Sequence, residues 1–128
     1  MTRSPNILYV MFDQAKASAM SFMGNKEISM PYCETLAKQG WVFENAYAAA
    51  PICTPSRSSV HTGLFPQVHG VTCHQNRAPY NVPQLAEILQ GAGYYTVVAG
   101  HYEPERNLSR GWHEQAPMHE RGPLFKSW

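Results

Sequence analysis

The sequence predicts an α/β fold: a largely parallel sheet with helices on both faces and its chemistry at the C-terminal ends of the strands. Three observations carry that prediction. Asn6-Ile-Leu-Tyr-Val-Met-Phe12 is a short, unbroken apolar run after Pro5, and it stops at Asp13-Gln14. Such runs mark strands covered on both faces, as in parallel sheets. Val82–Gln90 has apolar residues at helical spacing, Gly91-Ala-Gly93 closes it, and Tyr94–Ala99 follows as a second apolar, β-rich run. Helix, glycine break and strand in that order make a right-handed βαβ component. Prolines also stand where helices can open, at Pro31, Pro55 and Pro83.

Composition sets the outer bounds. The chain has 128 residues, 44% hydrophobic and 15% charged, enough for one small domain with a core. A net charge of +1 with no basic run argues against a nucleic-acid partner. No stretch reaches the length of a membrane span, and no amphipathic basic helix suggests a membrane surface. Cys33, Cys53 and Cys73 are an odd set without close pairing, which argues against a disulfide framework. The first apolar run is too short for a signal-peptide core and meets Asp13 at once, so a cytoplasmic location is the default expectation.

Taken in order, the first run is the opening strand, and Asp13 lies at its C-terminal tip. A carboxylate and an amide oxygen there are hard donors suited to Ca²⁺, Mg²⁺ or Mn²⁺. A strand-ending aspartate that merely caps or turns is the alternative. Ala15–Asn25 reads as a loop or loose helix, with Gly24-Asn25 as a turn. Pro31 starts a helix through Gln39, with Leu36 and Ala37 on its apolar face and Gly40 as its cap. Trp41–Ala48 carries β-formers in loose alternation and reads as a second strand. Val71–Val82 is polar and turn-rich, a surface loop. Glu103–Trp128 has prolines and charges without a period, which predicts an irregular tail with Arg106, Arg110 and Trp112 exposed or lightly packed.

The chemistry concentrates in Cys53-Thr54-Pro55-Ser56-Arg57. Thr54 can cap a helix, Pro55 suits its first position, and Ser56–Thr62 reads as its opening turns. Cys53 then stands just ahead of a helix N-terminus, where free N–H groups and the dipole favour an anion. Arg57 adds a permanent charge with a planar fork of donors matched to a tetrahedral oxyanion. Without more context, a buried, unmodified cysteine before a helix fits the same five residues. His69, beside Gly70, either frames a pocket or bonds to backbone.

At these residues the chain resembles the sulfatase family of the alkaline-phosphatase superfamily, whose pattern is Cys/Ser-x-Pro-x-Arg with Thr-Gly a few residues on. Here it stands as Cys53-Thr-Pro55-Ser56-Arg57, with Thr62-Gly63 after it. The flanks agree. Asn6-Ile-Leu before Asp13-Gln14, Met30-Pro31 through Gly40, and Phe43, Asn45, Ala46 and Tyr47 follow the family order. So do Pro66, His69-Gly70-Val71, Leu85, Ala86, Leu89, Gly93, Tyr94, Thr96 and Gly100. The Asp-Gln pair resembles the subgroup near phosphonate monoester hydrolases and choline sulfatases. Two places depart. His61 stands where an aliphatic residue is usual, as a surface histidine or a packing defect. His101-Tyr102-Glu103 stands where Lys-Trp-His would be, which lowers positive charge and puts sulfate specificity in question.

The resemblance implies the N-terminal portion of a sulfatase-like domain, with a tail from about residue 103. It implies hydrolysis of small sulfate esters, or of phosphonate or phosphate esters, through a formylglycine made from Cys53. A formylglycine-generating enzyme is the implied partner. The hydrated aldehyde would attack with one oxygen and release the bound anion through the other. Asp13, Gln14 and the modified Cys53 are the implied ligands of a divalent metal, Ca²⁺ first. Arg57 is the implied anion clamp, and His101 a weaker catalytic candidate. The distal metal ligands of the family have no counterpart in these residues. A truncated, non-catalytic fragment or interaction module is therefore the alternative, with self-association through an uncovered sheet edge.

Overall fold

The structure is a computed structural model that describes residues 4–103 and 106–117. It divides into two compact units, Met1–Ala46 and Tyr47–Trp128. The architecture is mixed α/β, with a small parallel sheet and several helices.

In the first unit, two 3-10 turns, Ala17–Ala19 and Ser21–Met23, precede helix α1, Pro31–Gln39. Gly24 has φ +101°, a left-handed value that favours glycine. Asn25 then accepts from the Glu27 and Ile28 N–H groups at 2.8 and 3.0 Å, so the predicted turn is present. Helix α1 opens on Pro31 and ends where the Gly40 N–H reaches the Leu36 carbonyl at 2.9 Å, as its sequence predicts. The two predicted strands do not form. Residues 6–12 and 41–48 are neither helix nor strand, and their apolar side chains stand in solvent; Leu8 is 88% exposed and Trp41 91%. A strand exists through its ladder, and among the described residues the sheet has two strands, neither of them in these runs. None of the described residues of this unit is buried.

The second unit holds the core: Val71, Ala78, Ala86 and Leu108 are essentially solvent-free. Around them lie helices α2 (Cys53–Thr62), α3 (Pro66–His69) and α4 (Leu85–Gly91). Helix α2 starts earlier than its sequence suggests. Its cap is Ile52, whose carbonyl takes the Ser56 N–H at 3.0 Å, so Cys53 is the first helical residue rather than the one before it. Thr54 does not cap, because its hydroxyl is bonded to His74 Nδ1 at 2.8 Å. Helix α4 begins with the Gln84 N–H donating to the Glu87 carboxylate at 2.8 Å.

The predicted tail is built into this unit instead of lying loosely on it. Ala78 N–H donates to the Arg106 carbonyl at 3.0 Å, and Asn107 returns an amide hydrogen to the Ala78 carbonyl at 2.9 Å. The Gln84 side-chain amide donates to the Asn107 carbonyl. Arg110 donates to the carbonyls of Tyr80 and Val82 and lies 3.3 Å from the Glu87 carboxylate. Gly111 has φ +79°, and a Cβ there would fall 2.2 Å from the Glu87 nitrogen, so only glycine fits against α4. The loop before it, predicted to run over the surface, buries Val71 and Ala78 for the same reason. Strand β1, Val97–Gly100, lies within and just past the predicted one. It pairs in parallel with β2, Glu114–Pro117, with Val97 opposite Glu114 and Gly100 opposite Pro117. Residues 118–128, the rest of the predicted tail, lie outside the described residues.

Candidate active site

Helix α2 presents the candidate site. Cys53 is its first residue and half-buried, and Arg57 follows one turn later, on the same face. Ile52, the N-cap residue, has no side-chain oxygen and makes no cap of its own. Pro55 has no N–H, so the first turn has one fewer backbone donor without an intrahelical acceptor. Arg57 is only 7% exposed. A buried guanidinium keeps its charge and interacts with an anion far more strongly than a solvated one. Cys53, the positive end of the helix dipole and the Arg57 guanidinium thus all belong to the first two turns of α2.

His61 lies one further turn along α2. Its ring is edge-on to Trp112, with centroids 5.9 Å apart and planes at 83°. Burial, followed by the charge of Arg57, lowers its pKa from 6.5 to about 4. It is not a surface histidine: it is half-buried, set edge-on to Trp112, with an Nδ1 that is buried and has no hydrogen-bond partner among the described residues. Spacing alone offered the signal, since 53, 57 and 61 share one helix face.

His69 resolves toward the backbone alternative. It is buried, and the Val71 N–H donates to its Nδ1 at 3.0 Å. Nδ1 therefore holds the lone pair, and Nε2–H donates to the Ser59 hydroxyl at 3.0 Å. Burial lowers its pKa, which favours this neutral form. His69 thus ties α2 to the turn that follows α3. Cys73 and Thr72 both bond to Asn76, which closes that loop.

The other predicted site residues lie elsewhere. His101 directly follows β1, and its Nε2 is 3.5 Å from Glu103 Oε1. Asp13 and Gln14 occupy a turn of the first unit, and Gln14 is held at φ +53°. Left-handed backbone at a non-glycine residue is strained and often marks a functional turn. A carboxylate and an amide oxygen suit a hard divalent cation. Among the described residues, however, no group of three or more His, Cys, Asp or Glu side chains forms a metal shell. These residues fit such an ion as part of its coordination sphere.

Known proteins resemble this chain in sequence and in fold. A family profile described as Sulfatase matches residues 5–111. The arylsulfatase of Clostridium perfringens (strain 13 / Type A) is 38% identical over 112 residues, covering 85% of this chain and 23% of that protein. The N-acetylglucosamine-6-O-sulfatase of Bacteroides thetaiotaomicron is 33% identical over 128 residues, covering 97% and 23%. The solved structure of BT4656 in complex with its substrate D-glucosamine-2-N,6-O-disulfate superposes with a TM-score of 0.73 at 33% identity, over 77% of this chain and 20% of that one. Phosphonate monoester hydrolase of Agrobacterium radiobacter shares the fold, with a TM-score of 0.75 at 20% identity, over 82% and 24%. The chain thus spans about a quarter of the length of the curated relatives it matches. On the profile match and the relatives together, this chain belongs to the sulfatase family.

Proposed function

We propose that the chain carries the nucleophile and anion-binding part of a sulfuric ester hydrolase. The observation that carries this reading is the start of α2: Cys53 as the first residue of the helix, with the buried Arg57 one turn away. The backbone N–H groups and the guanidinium bind and orient the anionic group of the ester, and their donors stay aimed as charge develops on its oxygens. His61, one turn beyond Arg57, stays neutral above about pH 4 and adds no second charge there. Oxidised to formylglycine, Cys53 would supply a hydrated aldehyde oxygen as nucleophile. Asp13 and Gln14 would hold a divalent cation, Ca²⁺ before Mn²⁺ or Mg²⁺, and such an ion polarises a substrate oxygen. His101 donates a proton to the departing alcohol. Sulfate esters come first as substrates because the named relatives are sulfatases; phosphonate and phosphate esters come second.

The test is a panel of aryl sulfate, phosphate and phosphonate esters with added Ca²⁺, Mn²⁺ or Mg²⁺. The reading predicts sulfate-ester hydrolysis that Cys53→Ala abolishes. No turnover of any ester by protein whose Cys53 carries the aldehyde would overturn it. A second reading, an interaction module without turnover, is favoured by the bare apolar side chains of the first unit. That outcome of the panel, joined to concentration-dependent self-association, would select it.

A further inference from the structure

One buried acid beside His101 has no assigned role. Glu103 is 4% exposed, and its backbone is left-handed at φ +57°. An L-residue is strained there, so surrounding packing must hold it. Its Oε1 lies 3.5 Å from His101 Nε2, while Oε2 is buried with no hydrogen-bond partner among the described residues. A carboxylate withdrawn from water and only half satisfied is unfavourable unless it acts on a neighbour. The residue between them is anchored from the other side: Tyr102 is buried, and its hydroxyl donates to Gln115 Oε1 on β2 at 3.0 Å. The His101 ring, by contrast, is 36% exposed. One ring nitrogen meets a buried acid just past the C-terminal end of a parallel strand, where α/β folds place ligand chemistry.

We propose that Glu103 is a positioning residue that holds the His101 ring by its Nε2 and turns Nδ1 outward as the atom offered to substrate. A carboxylate oxygen facing a ring nitrogen accepts from it, so Oε1 selects the tautomer with the hydrogen on Nε2. In the neutral ring, Nδ1 then carries the lone pair; in the protonated ring, it carries the transferable proton. During ester cleavage, the hydrated-aldehyde oxygen derived from Cys53 bonds to sulfur as the S–O bond to the alcohol breaks, and the electron pair of that bond stays on the alcohol oxygen. That oxygen takes the Nδ1 proton, and the ring is left neutral with Nε2–H still directed at Glu103. The use of this proton rests on the ester-hydrolase reading; the orientation of the ring does not.

The test is ¹⁵N NMR of histidine-labelled protein, at a pH high enough to leave the imidazole neutral. His101 is assigned by the signal missing from His101→Gln. The expected result is one tautomer, with Nε2 protonated and Nδ1 bare. Glu103→Gln retains an acceptor oxygen and should keep that tautomer; Glu103→Leu should lose it and show both forms in exchange. Wild-type His101 protonated at Nδ1 would overturn the inference without any variant. So would an unchanged tautomer in folded Glu103→Leu. An ester panel without turnover, beside the expected tautomer pattern, would sink the hydrolase reading and leave the ring's orientation standing.

Discussion

Replacing Gly111 with alanine tests how the second unit is held together behind α2. The new Cβ would lie 2.2 Å from the Glu87 nitrogen, 2.6 Å from the Ala86 carbonyl carbon and 2.7 Å from the Glu87 Cα. All three are backbone atoms in the first turn of α4, so no flexible side chain can swing away. Left-handed backbone at φ +79° adds roughly 1–2 kcal/mol for a residue with a Cβ. Forcing an extra carbon into a packed interface adds about 1–3 kcal/mol. The sum, about 2–5 kcal/mol, is a large share of the roughly 5–15 kcal/mol that keeps a small domain folded. Gly63→Ala is the matched control: its φ is +70°, but a Cβ there has nothing within 4 Å. It should lose only the backbone share, roughly 1–2 kcal/mol. Urea unfolding, followed by amide NMR signals of the second unit, gives both values. Equal losses in the two variants would refute the close packing of residues 106–113 on α4.

Two further outcomes follow from the histidines of α2 and α3. His61 has a folded pKa of about 4 against 6.5 unfolded, so between those values the unfolded chain binds more protons. Stability should therefore rise with pH from about 4 to 6.5 and level off above, by on the order of 3 kcal/mol from this residue. The lowered pKa of His69 adds a slope of the same sign. His61→Leu should flatten most of the rise in melts across that window; an unchanged slope would contradict the buried neutral ring. Ser59→Ala removes the acceptor of His69 Nε2–H and should destabilise the unit by about 1–3 kcal/mol. A loss of a few tenths in urea titration would mean that the bond does not tie α2 to the turn after α3.

The helices were the legible part of the fold. Pro31 and Gly40 bracket α1, and the apolar spacing before Gly91 marks α4, because these signals are local. Strand pairing is not local. Residues 6–12 have the composition of a buried strand yet find no ladder among the described residues, in a chain that spans about a quarter of its relatives. Glu114–Pro117 has almost no strand propensity, and it pairs because residues 106–113 are pinned to α4 and the loop before it. Capping rules chose Thr54 for its hydroxyl, but His74, which is distant in sequence, claims that oxygen and the helix begins at Cys53. In the site, Cys53 and Arg57 were readable because their spacing is helical. The roles of His61 and Glu103 depend on burial by Trp112 and by the turn after β1, which spacing does not encode.

The central claim is that Cys53, at the head of α2, becomes the oxygen nucleophile. Peptide mass spectrometry answers it most directly, on protein made in cells that contain a formylglycine-generating enzyme. The account predicts an aldehyde in place of the thiol at Cys53, trapped by hydrazine, with Cys33 and Cys73 still thiols. An intact thiol at all three positions would contradict it.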